Sequence, residues 1–267
     1  MSLRSVPVFA VVLTGCLRLT SAPLPMKSLA DPAPLPAKCL MVFLPGVADR
    51  DHTFRDEGFI EALRKRNLSV DVVAADATVG YYMRGIEAHA IDRYVVSPAI
   101  ANRYDQVWMV GVSMGGFGTL HYAASFPWRL DGLLVLAPHL GEETVLQRIR
   151  DAGGLDRWEP PPPERFHGRN YTEDTWRWLR ARTVDASPGP EVYLGYGRSD
   201  IVTGKAQLLA KRLPASHVFV DDGGHSWGTW RRLFAQFLDA STFAQRCRPD
   251  PGDVLQAKAG ATAAPAN

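Results

Sequence analysis

The chain is short of several things, and each shortage removes a class of function. Beyond its first fifteen residues no stretch approaches the roughly 18 continuous apolar residues that cross a bilayer, so no later membrane span is expected. Thirty lysines and arginines against 28 aspartates and glutamates leave a formal charge of +2, too little to hold nucleic acid or an anionic membrane surface. The seven histidines include no HExxH or similar helical pair, so no metal is expected, and nothing in the chain asks for another cofactor. Cysteine is scarce, at three residues: Cys16, Cys39 and Cys247. What remains is an ordinary apolar fraction in 267 residues, enough for one core.

The most informative motif present is Gly111-Val112-Ser113-Met114-Gly115. The apolar run Asp105 to Val110 before it reads as a buried strand, and Phe117 to Phe126 after it reads as a helix ended by Pro127. Strand, tight turn and helix are what a nucleophile elbow needs. The serine then stands exposed above a sheet while small residues on either side let strand and helix approach.

A second copy, Gly224-His225-Ser226-Trp227-Gly228, also lies between an apolar run and a helical pattern, so local context cannot choose between the two. Order along the chain can. In the fold that uses this elbow the nucleophile precedes an acid, and the acid precedes a histidine. No histidine follows Ser226. After Ser113 come Asp200, just past the predicted strand Val192 to Tyr196, and His225, just past the predicted strand His217 to Val220. Among rival acids, Asp185 precedes its strand and Asp174 falls within an insert, while Asp221 and Asp222 lie too near His225 in sequence to orient its ring.

With these motifs in this order, residues 38–245 resemble the α/β-hydrolase superfamily. The further units Cys39 to Leu44 (strand), Phe54 to Arg66 (helix), Val70 to Ala74 (strand), Arg84 to Arg103 (long helix) and Gly132 to Ala137 (strand) complete an alternation. The resemblance implies a doubly wound, mostly parallel sheet with helices on both faces. Little sequence before Cys39 could form leading antiparallel strands, so about six strands are expected, with a short lid-like insert over 141–190. The insert carries Trp158, Trp176, Trp178 and a helix from Thr172 to Arg182; a lid and simple packing on the sheet are both open for it.

The resemblance also implies two oxyanion donors, the backbone N–H of Met114 and that of Val47, with Gly46 as the alternative, in Leu44-Pro45-Gly46-Val47. Gly46, Tyr81, Tyr82 and His139 follow strands whose ends should face the site, and are candidates for the substrate pocket, with core packing as the alternative for the tyrosines. His52 also follows such a strand. A serine at the elbow points to acyl transfer. The expected activity is hydrolysis of carboxylic esters, small or short-chain, through an acyl-enzyme, with a small-molecule ester as partner. Open beside it are a peptidase, thioesterase or perhydrolase on the same triad, and a non-catalytic binding module. Oligomeric state is not legible.

The N-terminus differs from the rest. Arg4 precedes the apolar run Val6 to Leu13, shaped like a secretory signal over residues 1–15. Leu13-Thr14-Gly15-Cys16 resembles the lipobox of bacterial lipoproteins, which implies a lipidated Cys16 and membrane contact through that anchor alone. Cleavage after Thr20-Ser21-Ala22, releasing a periplasmic or secreted protein, is the alternative. Residues 16–37 then read as a proline- and alanine-rich leader or tether, and 246–267 as a disordered tail. With Cys16 used or removed, Cys39 and Cys247 are an even pair that an oxidising compartment would let bridge, two free thiols being the other outcome.

Overall fold

In a computed structural model the described residues are 20–101, 104–162, 170–252 and 254. The signal segment, Cys16 and residues 255–267 of the expected tail lie outside them. Seven strands, β1 (Ser28–Asp31), β2 (Cys39–Leu44), β3 (Val70–Ala75), β4 (Gln106–Val112), β5 (Gly132–Leu136), β6 (Glu191–Gly197) and β7 (Val218–Asp221), form one sheet. Their order is β1-β3-β2-β4-β5-β6-β7, and every pairing is parallel except that of β1 with β3.

All six residues of β2 and all five of β5 are buried, as expected of strands covered on both faces. Alternation along β2 divides two cores. Leu40, Val42 and Leu44 join Tyr81, Ile91, Leu120 and Trp176 on one face, while Met41 and Phe43 join Phe54, Phe59, Phe234 and Phe237 on the other. In the second core Phe43 stacks on Phe54 at 4.4 Å and Phe59 on Phe234 at 4.6 Å, pairs that contribute about 0.5–1.5 kcal/mol each beyond their buried area.

The helices are α1 (Thr53–Asp56), α2 (Phe59–Lys65), α3 (Val79–Met83), α4 (Glu87–Ile91), α5 (Ser97–Ile100), α6 (Met114–Ser125), α7 (Glu143–Asp151), α8 (Tyr171–Thr183), α9 (Thr203–Ala210), α10 (Trp227–Ala240) and α11 (Thr242–Arg246). Helix α10 buries Trp230, Leu233, Phe234, Phe237 and Leu238 and leaves Arg231 and Arg232 outside, a stripe at helical spacing.

Three expectations change, and one question left open by the sequence is answered for two rings. The sheet has seven strands, because Ser28–Asp31, inside the stretch read as a tether, pairs with the outer edge of β3. Its neighbours are fixed too: Met26 is buried, the Asp76 N–H donates to Lys27 O, and the hydroxyls of Tyr81 and Thr78 donate to Pro23 O and Ser21 O. The expected helix from Phe54 is split into α1 and α2 at Gly58, whose φ of +77° no helix accommodates. The long helix from Arg84 is likewise broken: Gly85 (φ +60°) separates α3 from α4, and a π-helical turn at Asp92–Val96 separates α4 from α5. Finally, the insert contributes to the main core. Trp158 and Trp176 are buried in it, and the Trp176 indole donates to Leu140 O at 3.0 Å, so these two rings are packing residues and not the apolar underside of a lid.

Cys39 and Cys247 are bonded, with 5.6 Å between their Cα atoms, and both are fully buried. The bridge ties the start of β2 to the end of α11 across 208 residues of chain.

Candidate active site

Ser113 directly follows β4 and holds φ +53°, ψ −113°, a conformation that strains any residue with a Cβ by on the order of 1–3 kcal/mol. Its surroundings hold it there. The Ser113 N–H donates to Leu136 O at 2.9 Å, and Ser113 O accepts from the N–H groups of His139 at 2.8 Å and Gly116 at 3.1 Å. Close approach explains the flanking glycines: a Cβ on Gly111 would stand 2.1 Å from Gly115 O, and one on Gly115 2.1 Å from Leu44 O.

The second copy of the motif has none of this. Ser226 is extended at φ −153°, ψ 155° and caps the start of α10, its hydroxyl 3.2 Å from that of Thr229. A Cβ on Gly228 would meet nothing nearer than 3.9 Å.

The loops after β6 and β7 are laced together. The Arg198 N–H donates to Asp221 O at 2.7 Å and the Ser199 N–H to Gly223 O at 3.2 Å. This lacing brings Asp200 and His225 within reach of each other. His225 Nδ1 lies 2.9 Å from Asp200 Oδ1 and 3.1 Å from Oδ2, and His225 Nε2 lies 3.0 Å from Ser113 Oγ. The Asp200 side chain is wholly buried, and its Oδ1 also accepts the Val202 N–H at 3.0 Å. A buried carboxylate on Nδ1 places the ring proton there, leaving Nε2 free to accept from the serine hydroxyl. On its other side the imidazole meets the Trp230 ring edge to face, centroids 4.9 Å apart.

The loop after β2 closes over the serine. Gly46 is buried with Ser113 beside it, whereas Val47 is 46% exposed. Among the described residues the N–H groups of Val47 and Met114 meet no protein acceptor, as donors awaiting an oxyanion would. Arg50 fixes the loop by a two-pronged bond to the buried Asp76 carboxylate at the end of β3, both contacts at 2.6 Å.

The remaining candidates divide. Tyr81 does not line the site: it is wholly buried, and its hydroxyl anchors Pro23 O, so burial pushes that hydroxyl up to about 12. Tyr82 turns its hydroxyl into the interior against Gly118 of α6, and burial likewise raises it. His139 touches Ser113 through its backbone, while its Nδ1 accepts the Gly141 N–H at 3.2 Å and its ring meets Phe117 edge to face. Burial, helped by Lys205, holds its imidazole below the usual histidine range, so the ring is a neutral neighbour of the serine. His52 is exposed and pairs with Asp51.

Sequence reasoning missed Asp49, Arg50 and Trp227. The Trp227 indole donates to Asp49 Oδ1 at 3.3 Å, joining the helix after the histidine to the loop after β2. The only available signal was position: all three fall within two or three residues of a candidate site residue.

A mostly parallel sheet flanked by helices on both faces, with a serine elbow after its central strand and an acid and a histidine on the loops after β6 and β7, is the α/β-hydrolase fold. No protein-family model matches the sequence, and no curated protein does. Solved structures do resemble it. An S-formylglutathione hydrolase from Staphylococcus aureus aligns with a TM-score of 0.53 at 14% identity, over 80% of this chain and 94% of its own. Another from Agrobacterium tumefaciens gives 0.52 at 14%, over 83% and 90%. The carboxyl esterase 2 of Tuber melanosporum gives 0.53 at 12%, over 84% and 82%.

Proposed function

We propose that the protein is a serine hydrolase that cleaves small or short-chain carboxylic esters through an acyl-enzyme. The observation that carries this reading is the unbroken hydrogen-bonded chain from Ser113 Oγ through His225 to the buried Asp200. His225 Nε2 takes the hydroxyl proton as Oγ attacks the ester carbonyl. Asp200 holds the tautomer and balances the imidazolium charge. The N–H groups of Met114 and Val47 receive the negative oxygen of the tetrahedral intermediate. Collapse expels the alcohol, which leaves with the proton from His225, and a water repeats the sequence to release the acid.

Small substrates are favoured because Tyr81, Trp158 and Trp176, the aromatics that could have walled a long acyl channel, are committed to the core. The test is a fluorophosphonate probe on wild type and Ser113→Ala, followed by p-nitrophenyl esters of rising chain length. Labelling of wild type alone, with acetate turned over faster than long acyl chains, is expected. An unlabelled wild type overturns the reading, and labelling that survives in Ser113→Ala moves the nucleophile elsewhere.

Export is part of the same proposal. It is supported by the buried Cys39–Cys247 bridge, which an oxidising compartment favours, and by the signal-like start. Cys16 as the lipid attachment point is tested by fractionating cells that express wild type and Cys16→Ser; a wild type found in the cytoplasm refutes it.

A further inference from the structure

The loop after β2 carries a carboxylate that the hydrolytic mechanism does not use. Asp49 is half-buried, and among the described residues it has no lysine or arginine partner, since the adjacent Arg50 is committed to Asp76. Its Oδ1 accepts the Trp227 indole N–H. Its Oδ2 lies on the nucleophile's side: a Cβ on Gly46 would stand 2.8 Å from Asp49 Oδ2 and 3.7 Å from Ser113 Cβ, so the carboxylate and the serine border the same space beside Gly46.

Such a charge is a handicap for a neutral ester. The oxyanion forms on a carbon bound to Ser113 Oγ, with its donors on the same loop that bears Asp49, and a fixed negative charge there opposes the developing one. A substrate with its own positive charge nearby cancels that repulsion and supplies the counter-ion the carboxylate lacks. We propose that Asp49 is a specificity-determining residue that selects esters bearing a cationic group, a primary or quaternary ammonium, a few bonds from the carbonyl. The proposal rests on the ester-hydrolase reading. Half-burial, opposed by the Trp227 bond and the Gly46 amide, holds the Asp49 carboxyl above its ordinary range, as befits a carboxylate short of cationic company.

The experiment compares acetylcholine with 3,3-dimethylbutyl acetate, which has the same shape with carbon in place of the charged nitrogen. Wild type should favour acetylcholine in kcat/KM by about tenfold at low salt, the scale of one partly screened charge pair, and the preference should shrink as ionic strength rises. Asp49→Asn, which keeps an acceptor for Trp227, should abolish the preference. No preference in wild type, or one that persists in Asp49→Asn, overturns the proposal. Turnover of neither ester overturns it too, and fluorophosphonate labelling of Ser113 then tells whether the serine-hydrolase reading falls with it.

Discussion

Reducing the Cys39–Cys247 bridge is a perturbation whose effect can be worked from the structure. Cross-linking residues 208 apart removes loop-closure entropy from the unfolded chain, and for a ring that long the chain-entropy relation gives about 5 kcal/mol at 25 °C. The folded state contributes little to the difference, because the end of the chain is docked independently. The Ser69 N–H donates to Cys247 O at 2.8 Å, and the buried Phe243 packs on Trp108 with centroids 5.2 Å apart. A loss of about 5 kcal/mol in a domain of this size lowers Tm by roughly 10–20 °C. Activity well below the transition should not change. Cys39 opens β2, whereas the site stands at the other end of that strand, about 17 Å away. Urea titrations of one wild-type preparation with and without reductant, read by fluorescence and by ester turnover, measure both quantities. Equal midpoints for the oxidised and reduced protein refute the entropy argument. A reduced protein that stays folded but loses turnover refutes the claim that the bridge acts on the unfolded chain.

Two further predictions concern the site. Asp200→Asn should leave the fold intact and lower kcat by about 10⁴-fold, since an amide no longer holds the His225 tautomer; a loss under tenfold in p-nitrophenyl acetate turnover excludes Asp200 as the orienting acid. Gly115→Ala should destabilise by roughly 1–3 kcal/mol and cut turnover by about a hundredfold, because its Cβ meets backbone at Leu44 O 2.1 Å away and α6 must shift. Gly228→Ala, the matching position in the second motif, meets nothing within 3.9 Å and should cost neither in the same urea and turnover assays.

The parts of this molecule that could be read in the sequence are those whose signal is carried by side-chain pattern or by order. Continuous apolar runs such as Cys39–Leu44 and Gly132–Leu136 gave away strands buried on both faces. The edge strand Ser28–Asp31 gave no such sign. It joins the sheet through backbone groups offered by β3, and its own residues alternate only between exposed and half-buried. Tyr81 and Tyr82 illustrate the same boundary. Their place after a strand was legible, but the direction each ring takes depends on Pro23 and Gly118, which lie 58 and 36 residues away in the chain.

Asp49 belongs with the tyrosines. The role proposed for it appears only when its carboxylate and Ser113 are seen to border the same space beside Gly46.

The two copies of G-x-S-x-G show what separates them where local pattern could not choose. Both have a preceding strand and a following helix, and by composition they are equivalent. They differ in backbone. Ser113 is driven to φ +53° because β4 and α6 must pack so closely that Gly111 and Gly115 touch main chain, whereas Ser226 stays extended because α10 starts beyond a loop held by Asp221 and Gly223. Strain of that kind needs a sheet on both sides to sustain it, and β4 has neighbours in β2 and β5 while β7 is an edge strand. An edge strand lacks that support and so cannot hold an elbow, but it can present a histidine to one. The position of each strand in the sheet thus favours the elbow at the first copy and leaves the second to present His225, in keeping with the roles proposed for them.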